Sequence, residues 1–348
     1  MANSFAPPDP WLKQLLAAEW TDGIRTRPSR LVINADHVMI GGLVAPIGSL
    51  IDARPADQPG AVLSFDLLHD GWKVTRLHKY KPLIYYAAFG SEDIFACLRA
   101  SIFSLLTHGR WRHDIAVLTS PDRVALVRQQ LAPICPPQRL HVAPVTGEDL
   151  LDWCCARYRL NAFQALWSAQ PLLYLDTDVI CDRPIDELML GLIGSNTINL
   201  RQEGRLDEGE ATSAGHWFGW RLLAGDGVPF DPSSPGFSSG AIGFANAVMA
   251  QPHFDAILAS TYGHARSTAN RHYYEGYDQP FANYVLRKRR CFATDLLNRS
   301  LRIHRVAADH ISMPAPRSAT GLVHFTGGVG LAEPKRAAME NYLAALSP

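Results

Sequence analysis

Two aspartates separated by a single residue, Asp176 and Asp178, lie near the end of the apolar run Leu172-Leu173-Tyr174-Leu175-Asp176-Thr177-Asp178-Val179-Ile180. Carboxylate oxygens suit Mg2+ and Mn2+, ions that commonly combine one or two protein carboxylates with substrate phosphates. The apolar residues ahead of Asp176 read as a strand covered on both faces, and the sites of open α/β sheets lie where strands end. Alternate side chains of an extended strand point to opposite faces. The two acids therefore share one ion only if the chain turns between them or a ligand bridges them. A solvated turn or a helix N-cap also produces an Asp-x-Asp triplet. The apolar approach sets this one apart and puts both acids at the rim of a cleft.

The elements that must hold such a site begin after about residue 80. Strand signals at 83–88, 115–118, 140–142 and 172–175 alternate with helical ones at 94–106, 123–131 and 149–169, the pattern of a mostly parallel sheet with covering helices. A helix opens at Asp186, and 197–200 reads as a strand. Residues 201–235 are then rich in Gly, Glu, Asp, Ser and Pro, and read as a long loop carrying Trp217 and Trp220. Those rings either cover a sugar face as a lid or pin the loop to the body. Residues 1–80 differ in texture: a short amphipathic helix at 11–20, then short β-type runs punctuated by Gly and Pro. The expected organisation is a small β-rich N-terminal extension at 1–80 and one α/β domain at 81–348.

Composition excludes some function classes. The chain has 348 residues, 47% of them hydrophobic, and 33 basic residues balance 33 acidic ones. A formal net charge of zero gives no support for nucleic-acid or anionic-membrane binding. No run of eighteen apolar residues and no basic-then-apolar leader is evident, which points to a cytoplasmic protein without a transmembrane segment. The six cysteines lack zinc-ligand spacing and read as reduced core thiols.

Five segments in order resemble family 8 glycosyltransferases, the group that includes glycogenin and bacterial lipopolysaccharide galactosyltransferases. The run Leu173-Tyr174-Leu175-Asp176-Thr177-Asp178-Val179-Ile180, followed by Asp182-Arg183-Pro184-Ile185, is similar to that family's metal-binding motif. Tyr86-Ala87-Ala88 resembles its nucleotide-binding first strand, and Arg159-Leu160 its basic position beside the donor diphosphate. Phe237-Ser238-Ser239-Gly240 and Asp278-Gln279-Pro280, with Asn283, resemble two further elements. His324-Phe325-Thr326-Gly327 is similar to the C-terminal element whose His completes the metal shell. The match covers about residues 82–340.

The resemblance implies a GT-A fold: a Rossmann-like, mostly parallel sheet with an appended acceptor region. It implies retaining transfer of a hexose from a nucleotide diphosphate sugar, with UDP the expected carrier, to a glycan, protein or small-molecule acceptor. Asp176, Asp178 and His324 would ligate Mn2+ or Mg2+. Ala87, Ala88, Phe89, Arg159, Asp176, Thr177, Gly327 and Lys335 would meet the donor, and Asp278 and Gln279 would face its sugar. A cation bridging the diphosphate stabilises charge that develops on the leaving group. Retention proceeds either through a carboxylate nucleophile or on one face with the leaving phosphate as base, and the residues do not choose between them.

Three positions depart from the family pattern. Phe89-Gly90-Ser91 stands where polar residues usually end the first strand, Ser238 replaces an Asn, and Gly330 replaces a Lys whose phosphate contact Lys335 or Arg336 could supply.

Ordinary structural roles are open as well. His324 lies in an apolar segment, as hydrogen-bonded core histidines do. Arg157 and Arg159 fit a solvated helix face. Asp278 before Gln279-Pro280 fits an N-cap. Arg287 to Arg290 fits a helix C-terminus, and Gly327-Gly328-Val329-Gly330 lacks the Lys-Ser/Thr ending of a P-loop. Two other functions stay open: a non-catalytic sugar-nucleotide or glycan-binding module, and a haloacid-dehalogenase-type phosphatase. The latter family has a Thr two residues beyond its second Asp, where Ile180 stands here.

Overall fold

The computed structural model describes residues 81–193, 195–206, 217–267, 278–306, 320–327 and 331–346, with the backbone of seven strands between residues 16 and 79. Those strands are β1 (Leu16–Thr21), β2 (Thr26–Ile33), β3 (His37–Ile40), β4 (Leu43–Pro46), β5 (Leu50–Pro55), β6 (Leu63–His69) and β7 (Trp72–Lys79). They form one sheet in the order β4-β3-β2-β1-β7-β6-β5, with antiparallel pairing throughout. The helix expected at 11–20 is corrected over 16–20 by β1, residues 11–15 lying outside the described residues. Pairing with β2 on one side and β7 on the other satisfies the backbone of Leu16–Thr21 and overrides its helix-favouring Leu, Ala and Glu content.

The body follows the expected alternation. In chain order it contains β8 (Leu83–Ala87), α1 (Glu92–Thr107), β9 (Asp114–Thr119), α2 (Val124–Leu131), β10 (Leu140–Pro144), α3 (Leu150–Cys155), α4 (Gln164–Ser168), β11 (Leu172–Leu175), β12 (Val179–Cys181), α5 (Asp186–Ile193) and β13 (Ile198–Arg205). Then come α6 (Trp220–Gly225), β14 (Pro235–Phe244), α7 (Ala247–Ser267), α8 (Gln279–Arg289), β15 (Phe292–Ala293), α9 (Asp295–Ser300), β16 (Leu301–Arg305), β17 (Leu322–Thr326) and α10 (Ala332–Leu346). The main sheet has the order β10-β9-β8-β11-β14-β13-β15. Its pairings are parallel except where β14 lies antiparallel between β11 and β13. The α/β class, mostly parallel sheet and covering helices expected from the sequence are all present.

The strands are apolar because both faces are covered. Ile84, Tyr86, Leu173 and Leu175 pack into one cluster with the α1 residues Phe95, Leu98, Ile102 and Leu105, which recur at helical spacing. Leu83, Tyr85, Leu172 and Tyr174 point the other way, against Phe254 and Ile257 of α7. A third sheet, β12-β17-β16, was not anticipated. It rests on α10 through Ile180, Val323, Phe325, Met339 and Tyr342. All six cysteines are free, and all but Cys154 are buried.

Two further expectations are corrected. The single helix at 149–169 is broken: α3 stops at Cys155, 3-10 turns span Ala156–Tyr158 and Leu160–Ala162, and α4 follows. The expected loop at 201–235 contains the end of β13, held by β14, and the helix α6. Residues 207–216 of that stretch lie outside the described residues, as does Gly330.

Candidate functional site

The chain turns where the two acids stand. β11 ends at Leu175 and β12 starts at Val179, with the Val179 N–H donating to the Asp176 carbonyl (3.3 Å). This turn lets carboxylates two residues apart face one space. β12 pairs antiparallel with β17, Val179 opposite His324, and the Phe325 N–H donates to the Asp178 carbonyl (2.9 Å). The three-stranded sheet thus carries His324 to the Asp pair, and ligating atoms of Asp176, Asp178 and His324 lie within 4.8 Å of one another.

The acids differ in setting. Asp176 is partly open, while Asp178 is 7% exposed, which corrects the expectation that both lie at a rim. Asp178 Oδ2 accepts from Lys335 Nζ at 2.8 Å. Its Oδ1 lies 3.1 Å from His324 Nε2. Burial pushes the Asp178 carboxyl up, but the Lys335 ammonium and the His324 ring together hold it below the ordinary range. Burial would lower the pKa of His324, and the Asp178 and Asp176 carboxylates outweigh it and raise it.

A divalent ion fits this donor set. Asp178 Oδ1 faces His324 Nε2 at 3.1 Å without hydrogen-bond geometry, and His324 Nδ1 is buried without a partner among the described residues; buried polar atoms left so are costly unless something else meets them. Gly240 of β14 completes the cradle: a Cβ there would stand 2.2 Å from His324 Cε1 and 2.9 Å from Asp176 Oδ2. The Asp176 N–H donates to the Gly240 carbonyl (2.8 Å), so the β14 backbone itself holds the first acid. Two carboxylates and an imidazole are a ligand set that Mn2+ accepts.

Arg157 sits behind Asp176. Its Nη1 is 3.2 Å from Asp176 Oδ1 and donates to the Ser239 carbonyl at 2.7 Å, and its Nε is 3.7 Å from Asp278 Oδ2. The guanidinium lies 4.8 Å from the Tyr174 ring centroid, a cation–π contact. Tyr174 Oη in turn donates to Asp176 Oδ1. Burial would lower the Arg157 pKa, but the two carboxylates raise it well above its usual value, so the charge is permanent. Arg159 takes another course, donating to the Thr146 carbonyl (2.9 Å) and Tyr262 Oη (2.7 Å). The basic residue beside the acids is therefore Arg157, not Arg159. The end of α3 followed by a 3-10 turn rotates Arg157 inward, and nothing in Arg157-Tyr158-Arg159 as a sequence distinguishes the two.

Asp278 opens α8 but makes no side-chain cap bond. Its buried carboxylate accepts from Tyr158 Oη at 2.7 Å. Burial raises its pKa despite Arg157 and Tyr158. Gln279 Oε1 accepts from the Ser239 N–H (3.1 Å), and Asn283 clamps the Phe237 backbone by accepting from its N–H and donating to its carbonyl. These bonds fix the first turns of α8 on β14.

One cleft of about 850 Å³ collects these groups. Asp176, Thr177, Asp178, His324, Asp278 and Gln279 line it, together with Arg157, Lys335, Gly327, Ala87 and Phe89. Ala88 does not: it is fully buried, its N–H and carbonyl tied to Leu118 and Thr119 of β9. Phe89 is packed face to face with Trp153 at 5.7 Å and 5°, so an aromatic wall stands where polar residues were absent from the sequence.

A scan against family models and a search of curated proteins find no match to the chain. Solved structures do resemble it. Mouse xyloside xylosyltransferase 1 in its apo form aligns over 70% of this chain and 97% of its own, at 14% identity and a TM-score of 0.44. Galactosyltransferase LgtC, in complex with donor and acceptor sugar analogs, aligns over 75% of this chain and 95% of its own, at 14% identity and a TM-score of 0.45. The bifunctional glycosyltransferase WbbM aligns over 75% of this chain and 50% of its own, at 15% identity and a TM-score of 0.46. Likeness at this level leaves the reaction to be argued from this chain's own residues.

Proposed function

We propose that this chain is a metal-dependent glycosyltransferase that moves a hexose from a nucleotide diphosphate sugar, a UDP-sugar in the first instance, to a hydroxyl-bearing acceptor with retention at the anomeric carbon. The observation that carries the proposal is the convergence of the Asp176, Asp178 and His324 ligating atoms, within 4.8 Å of one another, beside the Arg157 guanidinium in a single cleft. Its volume of about 850 Å³ lies in the range of small-molecule sites and accommodates a ligand of that size. Held by Asp176, Asp178 and His324, Mn2+ or Mg2+ would neutralise charge on the diphosphate as the glycosidic bond breaks.

The chain's own groups do the rest. Arg157 fixes Asp176 in place and joins it to Asp278. Ser239 anchors Gln279 through its amide oxygen, which leaves the amide N–H groups to donate to sugar hydroxyls. Asp278, held by Tyr158 and Arg157, would present its carboxyl group to the oxocarbenium-like centre. In the transfer the bond from the anomeric carbon to the diphosphate oxygen breaks, with its electron pair leaving on phosphate. The acceptor oxygen bonds to that carbon and gives up its proton to a base. The Phe89–Trp153 wall offers packing in place of polar contacts to the base.

The test is incubation of the protein with UDP-glucose, UDP-galactose and their GDP counterparts, with Mn2+ or with EDTA. The proposal expects metal-dependent release of nucleoside diphosphate and hexose, the freed hexose first appearing with the donor's anomeric configuration. Tight nucleotide binding with no turnover of any donor, in the presence of metal and of acceptor sugars, would favour the binding-module reading instead.

A further inference from the structure

Lys335 is the one ammonium among the described residues that line the cleft, and its partner is Asp178, a proposed metal ligand. Its Nζ lies 2.8 Å from Asp178 Oδ2, on the carboxylate whose other oxygen faces His324. Both side chains are largely buried, Lys335 17% and Asp178 10% exposed, so solvent screens the pair weakly. The stem is held as well: a Cβ on Gly327 would stand 3.2 Å from Lys335 Cε, so the absence of a side chain there makes room for the lysine. The Lys335 N–H donates to the Leu331 carbonyl (3.0 Å) at the start of α10, which anchors its backbone.

We propose that Lys335 makes divalent-ion binding conditional on diphosphate. A lysine hydrogen-bonded to Asp178 withdraws negative charge from the ligand set and places a like charge beside an incoming dication, so the ion alone binds poorly. A diphosphate in the same cleft changes the sign of that effect. It brings anionic oxygens beside the Lys335 ammonium, so Lys335 and the dication share an anionic partner instead of competing for one. Nucleotide and ion then bind with positive coupling, and linkage makes the coupling reciprocal. The consequence is that the site stays free of adventitious cations until a donor arrives. This inference rests on the reading of the cleft as a nucleotide diphosphate site.

The experiment is Mn2+ titration, followed by the electron paramagnetic resonance signal of the free ion, on the wild type, Lys335→Gln and Lys335→Arg, each with and without UDP. Thermal melting checks that each variant is folded. Without UDP, Lys335→Gln is expected to bind Mn2+ about tenfold more tightly than the wild type, a change of the size ordinary couplings take. Addition of UDP should tighten Mn2+ much more in the wild type than in Lys335→Gln. Lys335→Arg, which keeps the charge, should behave as the wild type. A merely structural role would weaken Mn2+ binding in Lys335→Gln, the opposite sign, so equal or weaker binding without UDP overturns the proposal while leaving the metal site intact. Absence of Mn2+ binding by the wild type even with UDP would instead overturn the underlying nucleotide-site reading, and this inference with it.

Discussion

Arg157 holds two carboxylates that would otherwise face one another across a buried gap, Asp176 at 3.2 Å and Asp278 at 3.7 Å. Removing one partner of a buried ion pair leaves the others uncompensated, at a cost of about 3–5 kcal/mol. Arg157→Ala is therefore expected to lower the unfolding free energy by an amount of that order and to abolish Mn2+-dependent donor turnover. Arg159→Ala, which loses bonds to Thr146 and Tyr262 and a 3.7 Å contact with Asp152, all outside the cleft, should keep most of its turnover; denaturant melts and donor-release assays on the two variants check both statements. Gly240 gives a second residue-scale prediction. Since a Cβ there would overlap His324 Cε1 at 2.2 Å, Gly240→Ala should displace the imidazole and weaken Mn2+ in the presence of UDP by tenfold or more, measured by calorimetry. Unchanged affinity would mean that His324 is not a ligand. The Asp pair was legible in the sequence because an apolar strand rarely stops on two charges without cause. His324 was legible only through the order of motifs. Arg157 was not legible, because two arginines in one short segment look alike until the backbone turn decides which points inward.

At the scale of elements, the site depends on a strand of three residues. β12 follows Asp178 and is tied to α1 by two serines: Ser104 Oγ accepts from the Cys181 N–H (2.9 Å), and Ser101 Oγ donates to the Val179 carbonyl. Ser104→Ala would leave the Cys181 N–H buried without its acceptor, which costs about 1–3 kcal/mol. The expected result is a lower melting temperature together with weaker metal binding, because the freed strand carries both Asp178 and the pairing with His324. A drop in stability without any change in Mn2+ affinity would show that β12 does not position the ligands. A strand of three residues carries too little periodicity to be read from sequence, which is why β12 went unforeseen while the longer alternation of β8 through β11 did not. The break after Cys155 has a similar origin: residues 149–169 are apolar at roughly helical spacing, but the 3-10 turns there satisfy buried contacts of Tyr158 and Leu160.

At the scale of the whole molecule, the main sheet divides two hydrophobic clusters, and the cleft opens where β8 and β11 end and β14 passes antiparallel beside β11. Among the described residues the N-terminal strands pair with one another in their own seven-stranded sheet, which supports the proposal of a boundary near residue 80. A chain beginning at residue 81 is accordingly expected to retain UDP and Mn2+ binding within about threefold of the full chain, since no residue proposed for the site precedes Ala87 and a threefold change is about 0.65 kcal/mol. Loss of binding on that deletion would assign the N-terminal sheet a part in forming the cleft. The most direct test of the whole account is calorimetric titration of UDP into the full chain with Mn2+, with Mg2+ and with EDTA, run beside Asp176→Asn. The account predicts binding that requires a divalent ion and is lost in Asp176→Asn. UDP binding of equal strength in EDTA, or undiminished in Asp176→Asn, would contradict a metal centre built on Asp176, Asp178 and His324.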